Sequence, residues 1–208
     1  MGRPRRIVAN DDQAGAISAE TALLDAALSC FVAQGYHGTT MRDIAARAGL
    51  AVSASYYYFP SKLDLLRRIM VRVTMELEAA LRAAERAAGE DPAARLAALV
   101  RAHVLFHTHR QAESFIGNSE LRALSPDDRT EIVAMRDQIS DHFKRVLEAG
   151  VRARVFDVPS PPAAVLAIVT MCTAVAQWYR NDGPAAPEQI AERYVELALR
   201  MVTAAKTG

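Results

Sequence analysis

An all-α fold is what this sequence predicts, and three observations carry it. Apolar residues recur at three- and four-residue spacing through nearly the whole chain, no segment sustains the alternation and turn signals of a sheet, and the breaks between apolar windows fall at capping residues, Gly or Pro. With 208 residues, 51% of them apolar and 24% charged, the composition is that of a globular protein with enough chain for two cores. The net charge of +1 exerts no overall pull toward a polyanion or a membrane surface, so any charged partner has to be engaged locally.

The chain opens with MGRPRR, a Gly- and Pro-containing stretch that places Arg3, Arg5 and Arg6 on a loose basic arm expected over residues 1–16. No apolar run follows it, so it does not read as a secretory leader, and Arg6 stands where a myristoylation motif needs Ser or Thr; the expected location is the cytoplasm. A first helix runs from about Ser18 to Gln34, with Leu24, Ala27, Leu28 and Phe31 on one face and Gly35 as its stop. Thr40 and Asp43 form a T-x-x-D capping box for a short second helix that carries Met41, Ile44, Ala45 and Ala48 and closes at Gly49. A third helix spans about Val52 to Tyr58, and Pro60 forces Phe59 out of helical geometry. Two short helices across a Gly-containing turn make a helix-turn-helix, so residues 17–63 are expected to form a three-helix head.

Ser61 caps a long fourth helix, about Lys62 to Ala88, on which a second domain, residues 64–208, begins. Gly89 to Pro92 is a stop followed by a start, and the fifth helix carries Leu96, Leu99, Val100, His103, Val104, Phe106 and His107 to about His109. A sixth segment covers about Glu113 to Leu124. Ser125, Pro126, Asp127 and Asp128 open a seventh helix reaching about Ala153, Ser160 caps an eighth through about Tyr179, and a ninth shows Ile190, Tyr194, Leu197, Ala198 and Met201 on one face. The most apolar window, Ala163 to Ala176, is shorter than the ~20 residues of a membrane span and reads as a buried helix. Cys30 and Cys172 form neither a disulfide framework nor a metal-binding pair and read as reduced core residues.

The stretch SYYYFPSK poses the sharpest question, since four successive rings cannot all face one side of a helix. Some of Tyr56, Tyr57, Tyr58 and Phe59 have to pack inward while others face out, and a phenol suits both, with apolar area for a core edge and an O–H for a polar partner. The string from Gly35 to Lys62, GYHGTTMRDIAARAGLAVSASYYYFPSK, resembles the signature of the TetR/AcrR family of transcriptional regulators. Its landmarks are Gly35, Tyr36, Thr39, Thr40, Ile44, Ala45, Ala48, Gly49, Tyr56, Tyr58, Phe59, Ser61 and Lys62.

That resemblance implies a homodimeric, ligand-responsive repressor that binds palindromic operator DNA. It implies phosphate contacts from Thr40, from Tyr56 or Tyr58 and from Lys62, with Arg42 a further backbone candidate, and base reading from about Val52 to Tyr57, including Ser53 and Ser55. In that setting the arginines of the arm either reach into an adjacent minor groove or form a solubilising tail. The chain departs from the pattern at Ala51, where a capping Ser is frequent, at Ser53, and at Ser55, where Leu or Phe packs inward; a late-starting, more loosely packed third helix is the expected consequence.

In the second domain, Met75, Phe106, His107, Phe115, Met135, Phe143, Met171, Trp178 and Tyr179 are candidates for a ligand pocket, although ordinary core packing gives the same composition. The WYRNDGP stretch resembles a subset of these regulators that respond to acyl-CoA thioesters, and other hydrophobic compounds fit equally. Leu166, Thr170, Thr173, Ala174, Tyr194, Leu197 and Met201 are candidates for a two-fold helical interface. His103, His107 and His109 have chelating spacing but no assured further ligand, so no metal or cofactor is expected, and no catalytic motif points to an enzyme. The competing classes are a helical small-molecule-binding protein or enzyme that has lost DNA binding, and a metal sensor.

Overall fold

The structure is a computed structural model that describes residues 9–203, and every described element is helical. The chain divides into two compact units, Met1–Ile69 and Met70–Gly208, with the boundary inside the fourth helix rather than at its start. Arg3, Arg5 and Arg6 lie outside the described residues.

In the first unit, α1 (Ala9–Gly38) begins well before the expected Ser18. Residues 9–16 carry no apolar stripe for periodicity to detect, yet contain no proline and include alanines of high helix propensity. The expected stop at Gly35 is a break inside this span, with φ 76° and ψ 158°, a backbone conformation that favours glycine. α2 (Met41–Arg47) closes through Gly49, at φ 70°, whose N–H donates to Ala46 O while that of Leu50 donates to Ala45 O, a Schellman arrangement. α3 spans Val52–Tyr58, and Phe59 leaves it extended at φ −134° and ψ 109° before Pro60. Leu23, Leu24, Ala27, Phe31, Met41, Ile44, Ala45 and Phe59 are buried, which gives each short helix an anchored face.

α4 spans Lys62–Ala87. In the second unit, α5 (Pro92–His109) lies against α7 (Pro126–Arg152), α8 (Pro161–Trp178) and α9 (Pro187–Val202), around a core that includes Leu96, Leu99, Val100, Phe143, Leu147, Ile168, Val175 and Ala198. The sixth segment is interrupted: α6 covers Gln111–Ser119 and a 3-10 turn follows at Leu121–Ala123, since Gly117, Asn118 and Ser119 weaken the helix there. Asp91 caps α5 through Ala93 N and Ala94 N, and Ser125 caps α7 through Asp128 N. Ser160, expected to cap α8, makes no side-chain cap; Pro161 and Pro162 fix the first turn instead.

α8 is, among the described residues, the one helix long and apolar enough to cross a membrane. It packs on α5, α6, α7 and α9 through Ala164, Val165, Ile168, Cys172, Val175 and Ala176 and leaves much of the rest exposed, so the helix expected to be buried is buried on one side only.

The exit of α7 is closed by a tight fold-back in which Val155 N and Phe156 N both donate to Gly150 O, and the Phe156 ring lies where a side chain on residue 150 would stand. Gly150→Ala is therefore expected to lower stability by about 1–3 kcal/mol through overpacking, measured by urea unfolding of the full chain.

Candidate functional site

Two groups of residues draw attention, one in each unit. In the first, the capping box of α2 is formed in full: Asp43 Oδ2 accepts from Thr40 N at 2.9 Å and from Thr40 Oγ1 at 2.6 Å, and Asp43 N donates back to Thr40 Oγ1 at 3.2 Å. These donors hold the Asp43 carboxyl below its usual range. Thr40 and Arg42 remain exposed at the start of α2.

α3 starts at Val52 without delay, even though Ala51 has no side chain to cap it. Its period turns Val52, Ser53, Tyr56 and Tyr57 outward, with Tyr56 50% and Tyr57 84% exposed, and turns Ser55 and Phe59 inward. Tyr58 is half-buried and meets Tyr57 edge-on at 5.2 Å. Ser55, expected among the base readers, is fully buried and its hydroxyl donates to Val52 O at 2.7 Å, so it is a packing residue. Its hydroxyl, with an internal acceptor, takes the inward position at no unpaired polar cost.

Lys62 differs from expectation in the same way. Its ammonium donates to Tyr36 O at 2.6 Å and Thr39 O at 2.7 Å and sits 4.4 Å from the Tyr36 ring centroid, which ties the start of α4 to the turn ahead of α2. An ammonium has three donors, so one remains for an outside acceptor, but most of the side chain's work is internal.

The second unit contains a cavity of about 340 Å³. α4 contributes Met70, Val73, Thr74 and Leu77, α5 His103 and His107, and α6 Ser114, Gly117 and Asn118. α7 adds Arg136, Ile139 and Ser140, and α8 adds Val169, Thr170, Thr173, Ala174 and Gln177. The two histidine rings stack at 4.7 Å; His107 Nδ1 lies 3.0 Å from His103 O, and His103 Nε2 lies 3.2 Å from Thr173 Oγ1. Since a carbonyl only accepts, His107 Nδ1 carries the proton. Burial pushes the His103 pKa well below the ordinary value, with His107 adding to the effect; burial also pushes that of His107 down to about 4, the Arg136 charge assisting. Both are neutral near pH 7.

Of the expected pocket residues, His107 lines this cavity. Phe143 and Tyr179 are buried in the core, Phe106 and Met171 pack against it, Phe115 is exposed on α6, and Met75 and Met135 border a separate surface depression. Trp178 is half-exposed and stacks on Tyr194 at 6.4 Å. Among the expected interface residues, Leu166 is 70%, Leu197 52% and Met201 42% exposed, whereas Thr173 and Ala174 are half-buried in the cavity wall and Thr170 is exposed at its edge.

The described residues contain no group of three or more His, Cys, Asp or Glu disposed to hold a metal, and His109 is exposed, apart from the stacked pair. Cys172 is buried, its thiol pushed up to about 12. Arg136, Asn118 and Ser114 were missed in the sequence, though Arg136 carried a signal: it occupies an apolar register on α7, between Ile132 and Ile139.

Residues 23–69 match the family described as bacterial regulatory proteins, tetR family, and residues 89–202 match the tetracyclin repressor-like, C-terminal domain. The chain belongs to the TetR family of bacterial transcriptional regulators. The HTH-type transcriptional repressor KstR2 of Rhodococcus jostii (strain RHA1) is 30% identical over 192 residues, covering 91% of this chain and 93% of that one. A bacterial regulatory protein in the tetR family from Rhodococcus RHA1 superposes with a TM-score of 0.86 at 36% identity, over 90% of this chain and 98% of that one. The ketosteroid transcriptional regulator KstR2 of Mycobacterium tuberculosis gives 0.80 at 25%, over 89% and 95%.

A histidine whose folded pKa is depressed contributes stability that is present above its unfolded pKa near 6.5 and lost as pH falls toward the folded value. Stability is thus expected to fall between pH 6.5 and about 4 as unfolding takes up the proton that buried His107 refuses. His107→Gln should flatten the slope in that window by roughly 1.4 kcal/mol per pH unit relative to wild type, measured by urea unfolding across the range.

Proposed function

We propose that the protein is a homodimeric transcriptional repressor whose two heads bind a palindromic operator, and that a small hydrophobic or acyl-CoA-like effector occupying the second-unit cavity releases it. The outward face of α3 carries this reading: Val52, Ser53, Tyr56 and Tyr57 are presented on a helix whose opposite side is anchored by Ser55 and Phe59. Such a helix enters a major groove, while Thr40 and Arg42 at the start of α2 meet phosphates. Heads on a two-fold dimer would address half-sites about 34–36 Å apart. The repressor sign is supported by the KstR2 relative of Rhodococcus jostii.

The dimer rests on an apolar face left open by the second unit, with Leu166 on α8 and Leu197 and Met201 on α9. Exposed large apolar side chains on two adjacent helices, with Leu197 and Met201 one turn apart on α9, favour a four-helix interface with a second copy. Release follows if the effector binds a conformation with the wrong head spacing more tightly than the DNA-competent one. α4 is a natural lever, since it holds the Lys62 clamp at its start and supplies Met70, Val73 and Leu77 to the cavity.

The test is fluorescence anisotropy with the duplex upstream of the protein's own coding sequence, extended by operator selection from genomic DNA. Tyr57→Ala should weaken binding about tenfold or more while leaving thermal stability near wild type, and Arg42→Ala should reduce the salt slope by about 1. Lys62→Ala should lower thermal stability as well as affinity. Leu197→Glu should yield a monomer in sedimentation and lose operator binding. Binding no tighter than to random duplex after selection would refute the reading.

A further inference from the structure

The cavity collects polar groups that the protein itself does not satisfy. Among the described residues, six buried side-chain N or O atoms make no hydrogen bond: Arg67 Nε, Arg72 Nε, His103 Nδ1, Arg110 Nε, Ser114 Oγ and Asn118 Nδ2. Arg110 Nε has an ion pair with Glu113 at 3.2 Å, and Arg67 and Arg72 have other interactions. The remaining three, on His103, Ser114 and Asn118, all belong to the wall of this one cavity. A buried polar atom without a partner is destabilising, so their concentration at one place points to a missing partner.

The charge on the same wall points to what that partner carries. Arg136 is the one charged side chain lining the cavity, and no Asp or Glu is among the lining residues. Its recorded contact is with a neutral group, Nη2 donating to Gly117 O at 2.9 Å, and no ion pair is recorded for it among the described residues. Arginine keeps its proton in proteins, and burial of an uncompensated guanidinium is costly, whereas both nearby histidines are neutral. The Gly117 contact holds the guanidinium against α6 beside Asn118, with Ser114 one turn earlier on the same helix. The rest of the wall, including Met70, Val73, Leu77, Ile139 and Val169, is apolar.

We propose that the effector is a compact apolar carboxylic acid, its carboxylate paired with Arg136 and hydrogen-bonded by Asn118 and Ser114, its hydrocarbon body against the α4, α7 and α8 side of the wall. A planar guanidinium matches a carboxylate bidentately, and an amide N–H and a hydroxyl add donors of the kind left unpaired. A volume of about 340 Å³ corresponds to roughly a dozen non-hydrogen atoms. That admits a free medium-chain or ring-bearing acid. The inference rests on the proposal that the effector site is this cavity.

The experiment is isothermal titration calorimetry of the full-length protein with decanoate, decanamide and decanoyl-CoA, on wild type and on Arg136→Gln, Arg136→Lys and Ala174→Phe, each checked for its helical circular dichroism. Decanoate should bind wild type about tenfold or more tightly than decanamide, Arg136→Gln should erase that preference, and Arg136→Lys, which keeps the charge but not the planar fork, should keep only part of it. Ala174→Phe, which fills the cavity, should weaken decanoate. Equal binding of acid and amide to wild type, or a preference that survives Arg136→Gln, overturns the carboxylate assignment while leaving the cavity as the effector site. Binding of decanoyl-CoA with decanoate excluded overturns it in favour of a thioester, and absence of binding by all three probes overturns it as well. Tight decanoate binding undiminished by Ala174→Phe places the effector elsewhere and overturns the cavity reading itself.

Discussion

Helix α5 is the constraint on which the second unit depends. It is packed by α6, α7, α8 and α9 at once, so nearly every position from Leu96 to Thr108 has a neighbour, and each polar group on it has to be paired inside the protein or left facing a cavity. His107 meets this by bonding the carbonyl one turn back, His103 by meeting Thr173 across from α8, and Thr108 by donating to Leu105 O. The stacked imidazoles therefore belong to the core in packing and to the cavity in chemistry. Their neutrality is a consequence of that burial, and it leaves Arg136 as the only charge on the wall.

The first unit solves a different problem. α2 and α3 have seven residues each, far too few for a helix to persist alone, since a short helix forms too few hydrogen bonds to repay its nucleation. α2 survives because both ends are closed by local bonds, the Thr40–Asp43 box and the Gly49–Leu50 turn. α3 has no side-chain cap, and relies on buried Ser55 and Phe59 for its anchorage. That division leaves the outward side chains of α3 without structural duties, which is the condition for a surface that can read a partner. Lys62 shows the reverse: a residue in a position suited to an outside phosphate is largely committed to two carbonyls and a ring within the unit.

α8 reconciles two demands that a single helix rarely meets together. One side, Ala164, Val165, Ile168, Cys172 and Val175, completes the core; Thr173 and Ala174 line the cavity; and Leu166 and Trp178 are left open. A helix apolar nearly all round is accounted for in this unit on two sides, by the core and by the cavity, while a third stays exposed.

Local signals were enough to read most of the helices from the sequence. The bounds of α3 and the start of α5 followed from Pro, Gly and capping residues, because those residues act through bonds within a turn or two of themselves. The helix-turn-helix string was legible for the same reason: it is one contiguous motif on consecutive short helices. The early start of α1 was not, since a polar helical stretch shows no period, nor was the break after α6. The cavity was misread in most of its members because hydrophobic and aromatic residues look alike in a core and in a pocket, and only the packed helices separate Phe143, which fills space, from Val169, which borders it. Ser55 and Arg136 make the point in opposite directions. The sequence by itself determined which faces were apolar and where helices stopped; the tertiary structure alone decided which polar side chains found partners, since pairing depends on residues brought together from different helices.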